Sequence, residues 1–199
     1  MTTPTVGVLY SGGKDSTLAA LLLDRFYDVT LVTTHFGITD AWQHAQSAAA
    51  ELPGSFQAIE LDRSIAETAV EIMTDDGYPR NGIQHAHDEA LEALADRDFD
   101  AIADGTRRDD RAPTVSRAAA QSIEDRYNVD YIAPLSGFGR SAVDDLVSQT
   151  LEVTVGPSED IPRADYEAEL RAIIRDEWSD VAITDIFPAH DQTVVTGLK

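Results

Sequence analysis

The chain contains no cysteine. That excludes disulfide cross-links, thiolate metal sites and a cysteine nucleophile, so its chemistry must rest on oxygen and nitrogen side chains or on bound groups. Basic residues are scarce as well: 15 Lys and Arg stand against 36 Asp and Glu, a formal charge of −21. Phosphate backbones are held mainly by clusters of Lys and Arg, so this balance excludes a broad nucleic-acid-binding face and leaves room only for a local basic site. No run approaches the roughly 20 apolar residues of a membrane span, and Met1-Thr2-Thr3-Pro4 lacks the basic and apolar regions of a secretory signal. A cytoplasmic location with no membrane partner is expected.

The acidic residues are spread over every segment rather than massed in a tail, which makes a solvated acidic shell. Salt screens such a shell over roughly 8 to 10 Å at physiological strength and more tightly above it, so adaptation to a salty cytoplasm is inferred. At 199 residues and 43% hydrophobic, the chain can bury one ample core. A single domain over residues 1–199 is expected, with a core of about 5–150 and a short irregular extension over about 151–199.

Five β-rich runs, Val6–Tyr10, Val29–Thr34, Phe56–Leu61, Phe99–Ala103 and Val129–Ala133, alternate with helical stretches. This rhythm predicts an α/β fold with an open, parallel five-stranded sheet and helices on both faces. Helices are expected over Thr17–Phe26, Ile65–Met73, Ile83–Leu94 and Tyr166–Asp176, with a turn-rich break across Asp75–Gly82 and an apolar run at Val181–Phe187. In such a sheet ligands gather at the carboxyl ends of the strands.

The first strand runs directly into Ser11-Gly12-Gly13-Lys14-Asp15-Ser16 and then a helix. Two glycines let the backbone turn sharply and present N–H groups to an anion, and the helix adds unpaired donors and its positive dipole end. The run is not the G-x-x-x-x-G-K-[ST] loop, because Asp15 follows Lys14 and Val8 stands where that pattern needs its first glycine.

It resembles instead the S-G-G-x-D-S motif of the PP-loop (N-type) ATP pyrophosphatases, the superfamily of GMP synthetase, asparagine synthetase, tRNA-thiolating enzymes and sulfonucleotide reductases; all six positions match. The resemblance implies a Rossmann-like, HUP-type sheet. It also implies ATP and Mg²⁺ as bound species and cleavage of ATP to AMP and pyrophosphate, with an acceptor adenylated and then attacked. On this basis Ser11, Gly12, Gly13, Ser16 and Thr17 are assigned to the phosphates, Lys14 and Asp15 to catalysis, and Asp15 also to the metal. At the end of the second strand Thr33 and His35 are assigned to the nucleotide.

The segment Asp104-Gly105-Thr106-Arg107-Arg108-Asp109-Asp110-Arg111 packs three arginines and three aspartates behind the fourth strand. Arginine forks hold phosphate oxygens, and aspartates accept from a ribose or hold Mg²⁺ through water. Its Gly-Thr and Gly-x-Arg-Arg-Asp patterns are similar to segments of the same superfamily, so Gly105, Thr106, Arg108 and Asp109 join the binding set. Pro134-Leu135 resembles another of its segments, which makes Arg140 the cation facing pyrophosphate. Gly137-x-Gly139-x-x-Ala142 also fits a relaxed dinucleotide pattern, but the strand before it is short and broken by Pro134. Asn81 suits a helix cap, and His85 and His87, two apart, cannot form the usual helical ligand pair.

The nucleophile is not visible in the sequence. Amide ligation would need free ammonia or a separate nitrogen donor protein; modification of tRNA or a nucleobase would need a separate sulfur or nitrogen donor. The acceptor is a small molecule or tRNA, and a homodimer is compatible with the chain. The alternative is a nucleotide-binding or sensor protein of the same fold without turnover.

Overall fold

A computed structural model describes residues 2–178 and 181–199. Along the chain lie β1 (Thr5–Leu9), α1 (Lys14–Leu23), β2 (Asp28–His35), α2 (Trp42–Ala49), β3 (Ser55–Glu60), α3 (Arg63–Asp76) and α4 (Arg80–Ala95). There follow β4 (Ala101–Ala103), α5 (Arg117–Tyr127), β5 (Asp130–Ile132), α6 (Arg140–Thr150), β6 (Leu151–Pro157), α7 (Tyr166–Glu177), α8 (Ile183–Ile186) and β7 (Asp191–Leu198). Strands β1 to β5 form one all-parallel sheet in the order β3-β2-β1-β4-β5, and β6 and β7 form an antiparallel pair. Among the described residues no helix is long and apolar enough to cross a membrane.

The central strands are buried on both faces, which explains their unbroken apolar sequence: Val6 and Val8 of β1 and Ile102 of β4 are fully enclosed. One face is covered by α3, α4 and α7 through Val70, Met73, Leu91, Leu94, Leu170 and Ile173. The other carries α1 and α2 through Ala20, Leu23, Ala45 and Ala49. There α1 also meets α6 and the hairpin through Leu18, Val143, Leu151 and Val195.

The turn-rich break expected over Asp75–Gly82 is shorter than its composition suggests. Helix α3 continues to Asp76 and stops where Gly77 enters the left-handed region at φ 63°, and α4 starts at Arg80 with Pro79 as its N-cap residue. Asn81 therefore lies inside α4 and donates to Asp76 rather than capping. The flanking strands are also shorter than predicted: β4 keeps only Ala101–Ala103 and β5 only Asp130–Ile132.

Residues 151–199 are more regular than the irregular extension predicted from sequence. They fold back against the sheet's carboxyl edge. The buried Glu169 carboxylate on α7 accepts the backbone N–H groups of Phe36 at 2.7 Å, Ile38 at 2.9 Å and Thr39 at 3.1 Å, just past the end of β2. Arg163 and Arg171 form ion pairs with Glu167, and His190 Nε2, just before β7, lies 3.3 Å from the same carboxylate. Strand β7 in turn reaches the opening loop, where Val195 N–H donates to the Gly12 carbonyl at 3.0 Å.

Glu169→Ala should strand three donors that a charged acceptor now satisfies, lowering stability by about 3 kcal/mol. Urea denaturation of the two proteins at equal salt measures it, and an unchanged midpoint would show that water replaces the carboxylate without loss.

Candidate functional site

The strand order reverses between β1 and β4: from β1 the chain builds outward through β2 and β3, then returns to place β4 on the other side. A crevice is expected outside the carboxyl ends of strands at such a point. A cleft of about 810 Å³ lies there, reached from β1 by Ser11, Asp15 and Ser16, from β2 by Thr34, and from β4 by Asp104 and Gly105.

Two backbones almost touch at its floor. A Cβ on Gly105 would stand 2.6 Å from the Ser16 nitrogen and 2.8 Å from the Asp15 carbonyl carbon, so only glycine lets the segment after β4 approach the first turn of α1 this closely. Gly12 turns the opening loop at φ +77°. Gly13, the N-cap residue of α1, makes no side-chain cap, which leaves the helix's first N–H groups available to an acceptor from outside. The Ser16 hydroxyl donates to the Gly13 carbonyl at 3.1 Å and lies 3.4 Å from that of Ser11, so the two hydroxyls shape the loop from inside.

The Asp15 carboxylate is engaged by two cations, Lys14 Nζ at 2.8 Å and Arg107 Nη1 at 3.8 Å. In a chain with only one other lysine, Lys199, the placing of Lys14 in this loop is not a consequence of composition. Arg107 is further held by Asp110, which accepts from its Nε, Nη2 and backbone N–H. Burial alone would lower the Arg107 pKa, but the Asp110 and Asp15 carboxylates raise it above the ordinary guanidinium value.

Of the residues assigned from sequence, the structure brings Ser11, Asp15, Ser16, Gly105 and Thr106 to the cleft. Gly12, Gly13 and Lys14 belong to the same loop but are not among the lining residues. Thr17 is fully buried and donates to the Gly13 carbonyl, and Thr33 is equally buried, donating to the Tyr10 carbonyl at 2.5 Å. His35 points away and stacks on Trp42, with ring centroids 5.5 Å apart, because side chains alternate along β2 and Thr34 takes the cleft side. Arg108 and Asp109 are exposed and do not line the cleft; Arg107 and Asp110 do. Arg140 also lies outside the lining, its side chain 77% exposed at the start of α6 with Asp144 as a distant partner at 4.0 Å.

Sequence reasoning missed a buried polar group beneath the cleft. Asp104 accepts from the Thr106 backbone N–H at 2.9 Å and hydroxyl at 2.6 Å through Oδ1, and meets His87 Nε2 at 3.0 Å and the Tyr131 hydroxyl at 3.0 Å through Oδ2. Burial raises its pKa most, yet the His87 and Thr106 bonds together hold it below the ordinary carboxylate range. The available signal was an aspartate directly after β4 paired with a histidine on the apolar face of α4, among Ala86, Ala90 and Leu91. The cleft wall contributed by α7 and β7, including Tyr166 and Gln192, carried no motif at all.

Because the folded-state pKa of Asp104 is depressed, its stabilising effect is present above the unfolded value of about 3.9 and is lost as pH falls through the lower folded value. Asp104→Asn should cost about 2 kcal/mol at neutral pH and flatten the acid limb of the stability profile, as read by denaturant titrations from pH 3 to 7. Gly105→Ala should separate the two backbones at the floor, and a cleft that keeps its ligand affinity in that variant would contradict the geometry above.

A protein of Methanocaldococcus jannaschii described as uncharacterized is 40% identical over 195 residues, covering 98% of this chain and 96% of its own. A solved structure from the same organism, described as a predicted subunit of a tRNA methyltransferase, has a TM-score of 0.90 at 40% identity and 98% coverage of both chains. A family model matches residues 5–197. The chain therefore belongs to the family of unknown function DUF7411.

Proposed function

We propose that the chain is an ATP pyrophosphatase-type adenylating enzyme of the PP-loop kind, which cleaves ATP to AMP and pyrophosphate and passes the AMP to an acceptor. The observation that carries the reading is the uncapped amino end of α1, opening with the Ser11 and Ser16 hydroxyls onto the cleft where the strand order reverses. Such an end is a ready anion site, and the Gly105 approach leaves just backbone thickness between it and the β4 segment.

Cleavage at the α phosphate asks for stabilising charge on departing pyrophosphate rather than for a covalent enzyme intermediate. Lys14 and Arg107 are the cations beside the loop, and on this reading Arg107 joins Lys14 in facing the pyrophosphate, the role the sequence analysis gave to Arg140. The donor set also fits Mg²⁺, which is usually held by one or two carboxylates together with substrate phosphates. Asp15 would hold it, with Asp110 nearby; among the described residues no three metal-binding side chains form a cage of their own. Magnesium would supply further neutralisation of phosphate charge.

The acceptor is proposed to be an RNA nucleotide, on the description of the M. jannaschii structure as a tRNA methyltransferase subunit. A chain of net charge −21 would not grip tRNA over a wide surface, so a partner subunit would hold the RNA and present one nucleotide to the cleft. The same description as a subunit favours a second reading, a nucleotide-binding component without turnover.

Incubation with α-labelled ATP, Mg²⁺, unfractionated tRNA, ammonium chloride and a cell extract that supplies the partner subunit, at high salt, separates the two. Labelled AMP with pyrophosphate is expected, and ATP bound without product would favour the second reading. Asp15→Ala should reduce product at least 100-fold while the far-ultraviolet spectrum is unchanged. Arg107→Ala should weaken binding of the Mg–ATP complex about tenfold in calorimetry.

A further inference from the structure

Asp104, His87 and Tyr166 form a continuous hydrogen-bonded series leading from the buried floor to the cleft surface. The four donors on Asp104 occupy both of its oxygens, so the carboxylate has only acceptor positions to offer and His87 must approach it with Nε2 protonated. In the neutral imidazole this sets the tautomer. Nδ1 of His87 keeps its lone pair, and the atom it meets is the Tyr166 hydroxyl, at 3.3 Å. Both rings line the cleft, Tyr166 edge-on to His87 at 6.0 Å between centroids. Thr34, at the end of β2, faces the same phenol.

Every bond in the series points inward: the phenol donates to Nδ1, and Nε2–H donates to an anion. A proton delivered to the Tyr166 oxygen from the cleft can therefore be matched by transfer of the phenol's own proton to His87, where Asp104 stabilises the imidazolium. The nucleotide-binding role does not need this series. The phosphate groups are assigned to α1 and to Arg107, and a purely structural pairing of His87 with Asp104 would not require a phenol in the cleft lining.

We infer that Tyr166 and His87, oriented by Asp104, are the proton acceptor for an amine nucleophile that attacks the adenylated acceptor in this cleft. This rests on the adenylating reading above. In the step, the nitrogen lone pair forms the bond to the activated carbon, and the carbon–oxygen bond to AMP breaks with its electron pair leaving on the phosphate oxygen. The nitrogen's proton passes to Tyr166 Oη as the phenolic proton passes to His87 Nδ1, and solvent later removes it. Burial, the largest influence, pushes the Tyr166 phenol above its ordinary range, so it stays neutral and relays a proton instead of holding a charge. General-base assistance of this type contributes about 10²- to 10⁴-fold in rate.

The test uses the full chain in the tRNA and ammonium assay, with pyrophosphate and AMP followed separately by rapid quench. Tyr166→Phe and His87→Asn should slow the release of AMP about 100-fold more than they slow the first-turnover release of pyrophosphate. Pyrophosphate and AMP falling together, or AMP release unchanged, overturns the relay and leaves the nucleotide site standing. A wild-type protein that binds ATP and forms no pyrophosphate overturns the adenylating reading and the relay with it. An independent readout needs no turnover: long-range proton–nitrogen spectra of the wild type should show His87 as the Nε2–H tautomer, shifting toward Nδ1–H in Asp104→Asn. An Nδ1–H tautomer in the wild type overturns the proposal whatever the kinetics show.

Discussion

The contact on which the site depends is between two stretches of main chain. Where Gly105 passes the first turn of α1 there is no room for a side-chain atom, and this sets how closely the segment after β4 lies against the opening of α1. The opening loop, the Asp104 carboxylate and the Arg107 guanidinium all take their positions from that spacing. The connections leaving an open sheet diverge at its reversal point, and here a glycine decides how close they stay.

Around this contact the protein builds in two steps. The β1–β5 sheet with its helices supplies a floor and one rim. The chain beyond residue 150 supplies the opposite wall and pins the loops that the sheet alone leaves free: Glu169 gathers the turn after β2, and Val195 hooks the loop at Gly12. Backbone N–H groups in such turns would otherwise depend on water. The wall also brings Tyr166 to His87, so a proton path exists only because a late segment docks against an early helix.

The order of strands and helices was legible in the sequence because a sheet covered on both faces demands short, continuous apolar runs, as in Val6–Tyr10 and Val29–Thr34. Ser11–Ser16 was legible because glycines and hydroxyls at that spacing have a backbone reason. The side of a strand that a residue faces was harder to read: Thr33 and His35 were assigned to a ligand, and alternation gave the position to Thr34. Arg107 and Arg108 are neighbours of the same type, and what separates them is the Asp110 carboxylate three residues on, which folds one back toward Asp15 and leaves the other in solvent. Arg140 was placed by likeness of a segment rather than by any physical constraint, and it sits at an exposed helix start. His87 and Asp104 are 17 positions apart and meet only through tertiary packing, for which a linear pattern offers little warning.

The hydrogen bond from Val195 to Gly12 spans nearly the whole chain. Domains tend to fold from the amino end as they leave the ribosome, yet this loop, among the first residues made, lacks its fastener until β7 has been made. The nascent protein thus has all five strands of its sheet, the last ending at Ile132, before the strand that fastens this loop exists. A copy ended ahead of β7 would lack that fastener, and one ended ahead of α7 would also leave one face of the sheet without Leu170 and Ile173.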